Sequence, residues 1–313
     1  MANTFNHANG FVPEIFSKKL ELAERTQTNF LNNMCNREWE GEIKQFGDTV
    51  HISLPDPANI TIGTGMTPSV NNMSPTMQSL VINKTMNFCF KFTDQENAQS
   101  QFNLSEGYGA LAVQKMADAH CLEVEQAVYD GAVATTIPAI GTTATPIALT
   151  DATVYSYFVK LITKLRNNNA VGPNGYYTFK GNGEEAKQLA PMVTISPNVL
   201  GLLINASVLT HPTIAGDKVI DTADKKQVAG MDILVDTNLG NIQVTEGNTA
   251  TSANQEVIIA GTKMGITYAN QYSKVEKLRD PAVFQDIIRG LELYGFEIIH
   301  PKSLVVGVVT LPV

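Results

Sequence analysis

Five histidines, three cysteines and two carboxylate pairs are the residues through which this 313-residue chain could do chemistry. His7, His51, His120, His211 and His300 lie far apart, and only His120 has further ligand types close by, Cys121 and Glu123. Adjacent side chains on a helix diverge by about 100°, so His120 and Cys121 do not close easily on one ion. A partly buried histidine packed on a helix accounts for His120 more simply than a metal site. His211 and His300 each precede a proline, which marks turns. The pairs Glu123/Glu125 and Glu184/Glu185 read as solvated faces rather than acid–base pairs.

Two further motifs fail on physical grounds. The stretch "YYTFKGNGEEA" places Gly181, Gly183 and Ala186 in part of a dinucleotide-binding fingerprint. Glu184 and Glu185 would then face the pyrophosphate, and no acidic residue stands about twenty positions on to hold a ribose. A surface turn is the simpler reading. Cys35, Cys89 and Cys121 have no CxxC spacing, which predicts reduced, buried thiols rather than disulfides or a zinc site. Walker loops, GxSxG elbows and HExxH motifs are absent from the sequence. Neither catalysis nor a cofactor is expected.

Composition narrows the class further. The net charge is −8 and no Lys/Arg cluster occurs, so the chain is poorly suited to gripping nucleic acid. The longest apolar runs, "EVIIAG" and "SLVVGVVTLPV", are too short to span a bilayer, and "MANTFNHANG" lacks a secretory pattern. No export is expected, so the Asn-x-Ser/Thr triplets, such as that at Asn83, are not read as glycosylation sites.

The elements that would position any site are clearer. An opening arm carries only a loose apolar stripe of Leu20, Leu22, Phe30 and Leu31. "DTVHISL" alternates as a strand, with Val50, Ile52 and Leu54 on one face. "INKTMNFCFKF" reads as its hairpin partner, with Met86, Phe88, Phe90 and Phe92 sharing a face. Residues 104–133 have helical periodicity, with Val113, Ala117, His120, Val124, Ala127 and Gly131 on the apolar side. Lys115, Asp118, Glu123 and Glu125 are placed largely opposite. A helix of about 25 residues would be about 38 Å long, a spine rather than an ordinary element.

A Thr/Ala/Pro connector, "TTIPAIGTTATPIALT", leads into a compact middle. There "DATVYSYFVKLITKLRNNN" predicts a helix opened by Asp151, "MVTIS" a buried strand, and Ser196-Pro197 the start of another helix. "GMDILVDTNL" and "QEVIIAG" read as strands. Near the end, Asp280 as N-cap, Pro281 at the first position and Gly290 past the end predict a helix, followed by two strands joined at His300-Pro301. The sum is an α+β protein whose middle is inserted into an elongated frame.

One stretch calls for a partner. Residues 57–83 hold no Asp, Glu, Lys or Arg, but do hold Met66, Met73, Met77, Pro68, Pro75 and Val70. Ordering such a segment costs about 1 kcal/mol or more per residue, and a two-stranded hairpin alone is marginal in water. Charge is depleted at the centres of protein interfaces, and uncharged, Met-containing surface suits one. Trp39, in "NREWEGEI", is an amphipathic anchor packed either in its own core or against a neighbour. Trp39, Met66, Val70, Met73, Met77 and Lys84 are therefore the candidate subunit-contact residues.

The order of parts resembles a known family. "FVPEIFSKKL", "NREWEGEIKQFGDTVHI", the hairpin, the spine, "TISPNVLGLL", "GMDILVDTNL" and "GLELYGFEIIHPKSLVVGVV" together resemble the major capsid proteins of tailed bacteriophages. That family has the Hong Kong ninety-seven-type fold, shared with encapsulins. The resemblance covers nearly the whole chain and implies an N-terminal arm over 1–45 and an extended loop over 46–95 that lies on an adjacent subunit. It further implies a peripheral domain of 96–135 with 268–313, and an axial domain of 136–267.

The implied function is a structural shell of pentamers and hexamers around packaged double-stranded DNA. The implied partners are a portal, decoration proteins in some members, and no membrane. Some members join subunits covalently through a loop lysine and a neighbour's asparagine. Lys84 is the only lysine between Asp48 and Lys91, and no asparagine follows Asn270, so a non-covalent shell is expected. No long charged helical segment precedes the arm, so a separate scaffolding protein is expected. The alternatives are an encapsulin-like compartment and, from a different class, a small nucleotide-binding enzyme.

Overall fold

Two apolar runs near the end of the chain become neighbouring central strands. The computed structural model describes residues 30–38, 49–54, 76–99, 104–168, 170–171, 190–206, 227–242 and 255–312. Strand β10 (Gln255–Gly261) pairs antiparallel with β13 (Leu304–Thr310), from Gln255 opposite Thr310 to Gly261 opposite Leu304. They lie inside a seven-stranded mixed sheet of order β5-β13-β10-β7-β9-β8, with β6 (Ile147–Ala148) also on β13. The other members are β5 (Ala139–Ile140), β7 (Met192–Ile195), β8 (Gln227–Val228) and β9 (Met231–Val235).

Both faces of this sheet are covered, which explains its uninterrupted apolar sequence. Ile258, Ala260, Val305 and Val309 point into one core with helices α4 (Val154–Asn167) and α5 (Pro197–Asn205). Val257, Ile259, Leu304, Val306 and Val308 point into a second core. There they meet α1 (Phe30–Met34), β1 (Cys35–Asn36) and the long helix α3 (Leu104–Val133). Helix α4 buries Val154, Tyr157, Phe158, Leu161, Ile162 and Leu165, the spacing of one helical stripe. Its N-cap is Thr153 rather than Asp151, and Lys164 and Arg166 sit in its last turn, where cations are favoured. Ser196 caps α5 as expected, its Oγ accepting from the Val199 N–H at 3.2 Å.

Helix α3 has 30 residues, about 45 Å, and is wedged between that sheet and a second one. The second sheet has order β1-β11-β12-β4, with β11 spanning Ile266–Arg279, β12 spanning Gln285–Ile298 and β4 spanning Lys84–Thr93. Packing on two sides rotates and widens the buried stripe relative to the sequence expectation. Met116, His120, Cys121, Val124, Glu125, Val128 and Tyr129 are buried, whereas Val113 is 47% exposed. Glu125, expected on a solvated face, is fully buried.

Two expectations about strands are overturned. The helix expected to start at Pro281 does not form: β11 and β12 make a long antiparallel hairpin whose turn holds Asp280–Phe284. The Asp280 carboxylate accepts from the Ala282 N–H at 2.9 Å, an Asx turn in place of a helix cap. The ladder runs from Ile266 opposite Ile298 to Arg279 opposite Asp286, with an irregularity between Asn270 and Tyr272. So many cross-strand pairs outweigh one local capping signal. The partner of β2 (Thr49–Leu54) is β3 (Thr76–Val81), not the phenylalanine strand. That strand, β4, lies instead on β12 over ten residue pairs. Phe88, Phe90 and Phe92 do share a face, in a row of ring contacts continued by Tyr108 of α3. After β4 comes the short helix α2 (Asp94–Gln99).

Candidate functional site

The β2–β3 hairpin shows two unlike faces. Inward, Ile52 and Leu80 form a small core with Ile82, Ala269 and Ile299, flanked by Val50 and Leu293. Outward, His51, Ser79 and Val81 are exposed and Met77 is 67% exposed. His51 Nδ1 and Ser79 Oγ lie 2.9 Å apart across the ladder. This outer strip carries no carboxylate, ammonium or guanidinium among the described residues, which suits the charge-depleted centre of a protein interface. Trp39, Met66, Val70 and Met73 lie outside the described residues.

Lys84 turns inward. Its Nζ donates to Glu123 Oε1 of α3 at 2.6 Å and lies 4.0 Å from the centre of the Phe296 ring. The Tyr294 hydroxyl donates to the other Glu123 oxygen. One turn earlier on α3, buried His120 lies with Nε2 3.0 Å from Glu292 Oε2, and Asn270 Nδ2 donates to Glu292 Oε1. The His120 ring stands edge-on to Tyr294, centroids 4.0 Å apart. His120 is thus a core histidine with a carboxylate partner. This network fixes the strand that follows the hairpin to the long helix.

The Glu123 carboxyl feels opposed influences. Burial pushes it up, but the hydrogen bonds from Lys84 and Tyr294 and the Lys84 charge outweigh that and hold it below the usual range. A depressed carboxyl stabilises the fold above its unfolded value, and that stabilisation is lost as pH falls through the folded value. Lys84 and Glu123 are each about a third exposed, so solvent screens the pair. Lys84→Met is expected to cost about 1 kcal/mol at neutral pH. The gap to the unsubstituted protein should narrow from about pH 6 to about pH 3, read as urea midpoints.

Two features escaped sequence reasoning. The β11–β12 turn exposes Val283 and Phe284, the latter 79% exposed, next to an ion-pair cluster of Arg279 with Asp94 and Asp286. The expected helix hid that turn. On the face of the four-stranded sheet away from α3, a cleft of about 510 Å³ is lined by Asn87, Cys89, Lys274, Glu276, Arg289 and Leu291, among others. Cys89 is exposed there, unlike Cys35 and Cys121, which are buried as expected. Arg289 and Lys274 both pair with Glu276, which leaves the lining with one positive charge in excess. Among the described residues no group of three or more His, Cys, Asp or Glu could hold a metal ion. Among them, too, no helix is long and apolar enough to cross a membrane.

The fold has solved counterparts over its whole length. A structure from Mycobacterium phage Che8 is 22% identical, covering 96% of this chain and 97% of that one, with a TM-score of 0.73. A capsid structure of the cyanophage P-SCSP1u is 13% identical over 96% and 93% of the two chains, with a TM-score of 0.68. The capsid asymmetric unit of the cyanophage Pam1 is 12% identical over 99% of both chains, again with a TM-score of 0.68. No family model matches the sequence, and no curated protein matches it. The class defined by the fold is therefore that of phage capsid structures, with mixed helix and strand. The chain shares this fold across sequence differences large enough to leave few residues in common.

Proposed function

We propose that this chain is a structural shell subunit of a tailed bacteriophage, without catalytic activity. Pentamers and hexamers of it close by non-covalent contacts into an icosahedral capsid around double-stranded DNA. The observation that carries the reading is the end-to-end likeness to phage capsid structures. Residues 1–45 serve as the arm and 46–95 as the loop laid over an adjacent subunit. Residues 96–135 with 268–313 form the peripheral domain, and 136–267 form the axial domain. The uncharged outer strip with Met77 supports the loop assignment, and the inward engagement of Lys84 supports non-covalent joining. A net charge of −8 suits a container that does not hold its cargo tightly. The protein acts in the virion after assembly in the host bacterial cytoplasm, with a scaffolding protein, a portal and decoration proteins as partners.

Negative-stain microscopy of the purified full-length chain tests this. Closed shells, rings of five or six, or extended sheets are expected, dissociating to single chains in hot detergent. A compact monomer or dimer at high concentration, with saturable nucleotide binding, overturns the proposal. Nuclease-protected DNA inside natively purified particles separates a virus shell from a protein compartment.

A further inference from the structure

Helix α4 turns one face to its core and the other to solvent, and the solvent face carries charge of a single sign. The helix holds Lys160, Lys164 and Arg166 and no Asp or Glu. All three cations are exposed, and beside them Tyr155 and Val159 are 38% and 40% exposed. At about 100° per residue, these five side chains fall on the half of the helix opposite the buried stripe. Lys164 stands about one turn, roughly 6 Å, beyond Lys160. Ser156 and Thr163 share the face but direct their hydroxyls to the helix itself. Ser156 Oγ donates to the Thr153 carbonyl at 2.8 Å, and Thr163 Oγ1 to the Val159 carbonyl at 2.7 Å.

On the four-stranded sheet the chain answers its cations with carboxylates. Lys84 pairs with Glu123, Lys274 and Arg289 with Glu276, Lys277 with Asp286, and Arg279 with Asp94 and Asp286. Among the described residues, Lys160, Lys164 and Arg166 make no such pair. Lys164 and Arg166 lie in the last turn, where cations complement the helix dipole, but Lys160 stands in mid-helix, outside that effect. Asp151, the exposed acid nearest to Lys160 in sequence, precedes the helix at the end away from Lys164 and Arg166. In a chain of net charge −8, three unpaired cations on one face make a local field opposite in sign to the whole.

We infer that this face of α4 binds a polyanion, the phosphate backbone of duplex DNA. Charge and geometry select that occupant. Lysines act as flexible point charges, which suits phosphates that recur about every 3.4 Å along each strand. The exposed Tyr155 adds a hydroxyl donor on the same face. An acidic patch on a second copy fits less well, because Asp94, Glu276 and Asp286 are already engaged by that copy's own cations. Three phosphate contacts release about three counterions, so one subunit binds weakly and loses its hold steeply with salt. Repeated over many copies, the face keeps DNA near the wall without gripping it, in keeping with the overall negative charge. The identity of the polyanion rests on the proposed shell function; the cationic face does not.

The test titrates a fluorescent duplex with dissociated full-length subunits between about 50 and 200 mM salt, read as anisotropy. The natural chain should lose about fortyfold in affinity over that range. The triple variant Lys160→Gln, Lys164→Gln and Arg166→Gln should bind more weakly and lose most of the salt dependence. No binding at about 50 mM salt, or equal affinity and salt dependence in the two chains, would overturn the inference. A variant that binds DNA normally but no longer forms particles would also overturn it, by assigning the face to a second copy. Lysine acetylation gives a reading that needs no variant. Duplex should protect Lys160 and Lys164 and leave Lys274 and Lys277 reactive, and any other pattern counts against the face. Negative-stain images keep the two readings apart. Particles without DNA binding through α4 remove only this inference, and binding through α4 without particles removes only the shell.

Discussion

Met73→Asp is expected to leave the subunit folded and to abolish particle formation. Met73 lies in the run 57–83, where no charged residue occurs, and outside the described residues. If that run is covered by a second copy, the new carboxylate has to be dehydrated at every such contact, with no partner supplied for it. A cost of roughly 3 kcal/mol per buried, unpaired charge is the expected scale. That weakens each contact on the order of a hundredfold, and a closed particle repeats the contact many times. The two cores that hold the subunit together draw on other residues, so circular dichroism and urea midpoints should match the natural chain. Met73→Leu, which keeps size and apolarity, should assemble normally. Normal particle yield from Met73→Asp would show that no second copy covers this position.

Gly295→Val is expected to cost about 3 kcal/mol of subunit stability, the upper part of the overpacking range. Gly295 sits in β12 where the β3–β4 connection crosses the sheet. A Cβ there would collide with the Val81 carbonyl oxygen and lie 3.0 Å from the Ile82 Cα. Those are backbone atoms, so the collision cannot be relieved by a rotamer change. Relief requires lifting the hairpin root away from the sheet, which opens the small core of Ile52, Leu80, Ile82, Ala269 and Ile299. Gly295→Ala should show a smaller loss of the same sign. A urea midpoint unchanged in Gly295→Val would show that the hairpin is not seated on this sheet.

Buried strands and amphipathic helices were readable because their residues report their surroundings directly. "VIIAG" and "LVVGVV" are apolar throughout since both faces of their sheet are covered, and α4 shows its stripe since only one of its faces is. The β11–β12 hairpin was misread because its signals compete. Asp280 and Pro281 resemble a helix start, while the strand pattern of β12 is interrupted by glycines that serve close contacts: Gly290 under the Phe88 ring, Gly295 under the hairpin root. Pairing of β2 with β3 rather than β4 was equally hidden, since β4 alternates apolar and polar residues whereas β3, TMQSLV, does not. Buried Glu125 could not be foreseen, because a glutamate on a helix looks solvated until the sheets packed on both sides of that helix are known.

The candidate site was legible in a different sense. Absence of charge marked the whole run 57–83; of it, Thr76–Val81 lie on described β3, where Met77, Ser79 and Val81 face outward and Leu80 faces a core. Lys84, chosen for its isolation in sequence, proved to serve the root of the hairpin through Glu123 and Phe296. Val283 and Phe284 gave no signal, because exposure of an apolar turn depends on the ladder beneath it.

Hydrogen–deuterium exchange on peptides covering 57–75, compared between assembled particles and dissociated subunits, tests most directly whether one copy covers this segment of the next. Slow exchange in particles and fast exchange in separated subunits is the expected pair of results. Equal exchange in the two states would mean that no neighbour lies on the segment, and the shell would have to be held together elsewhere.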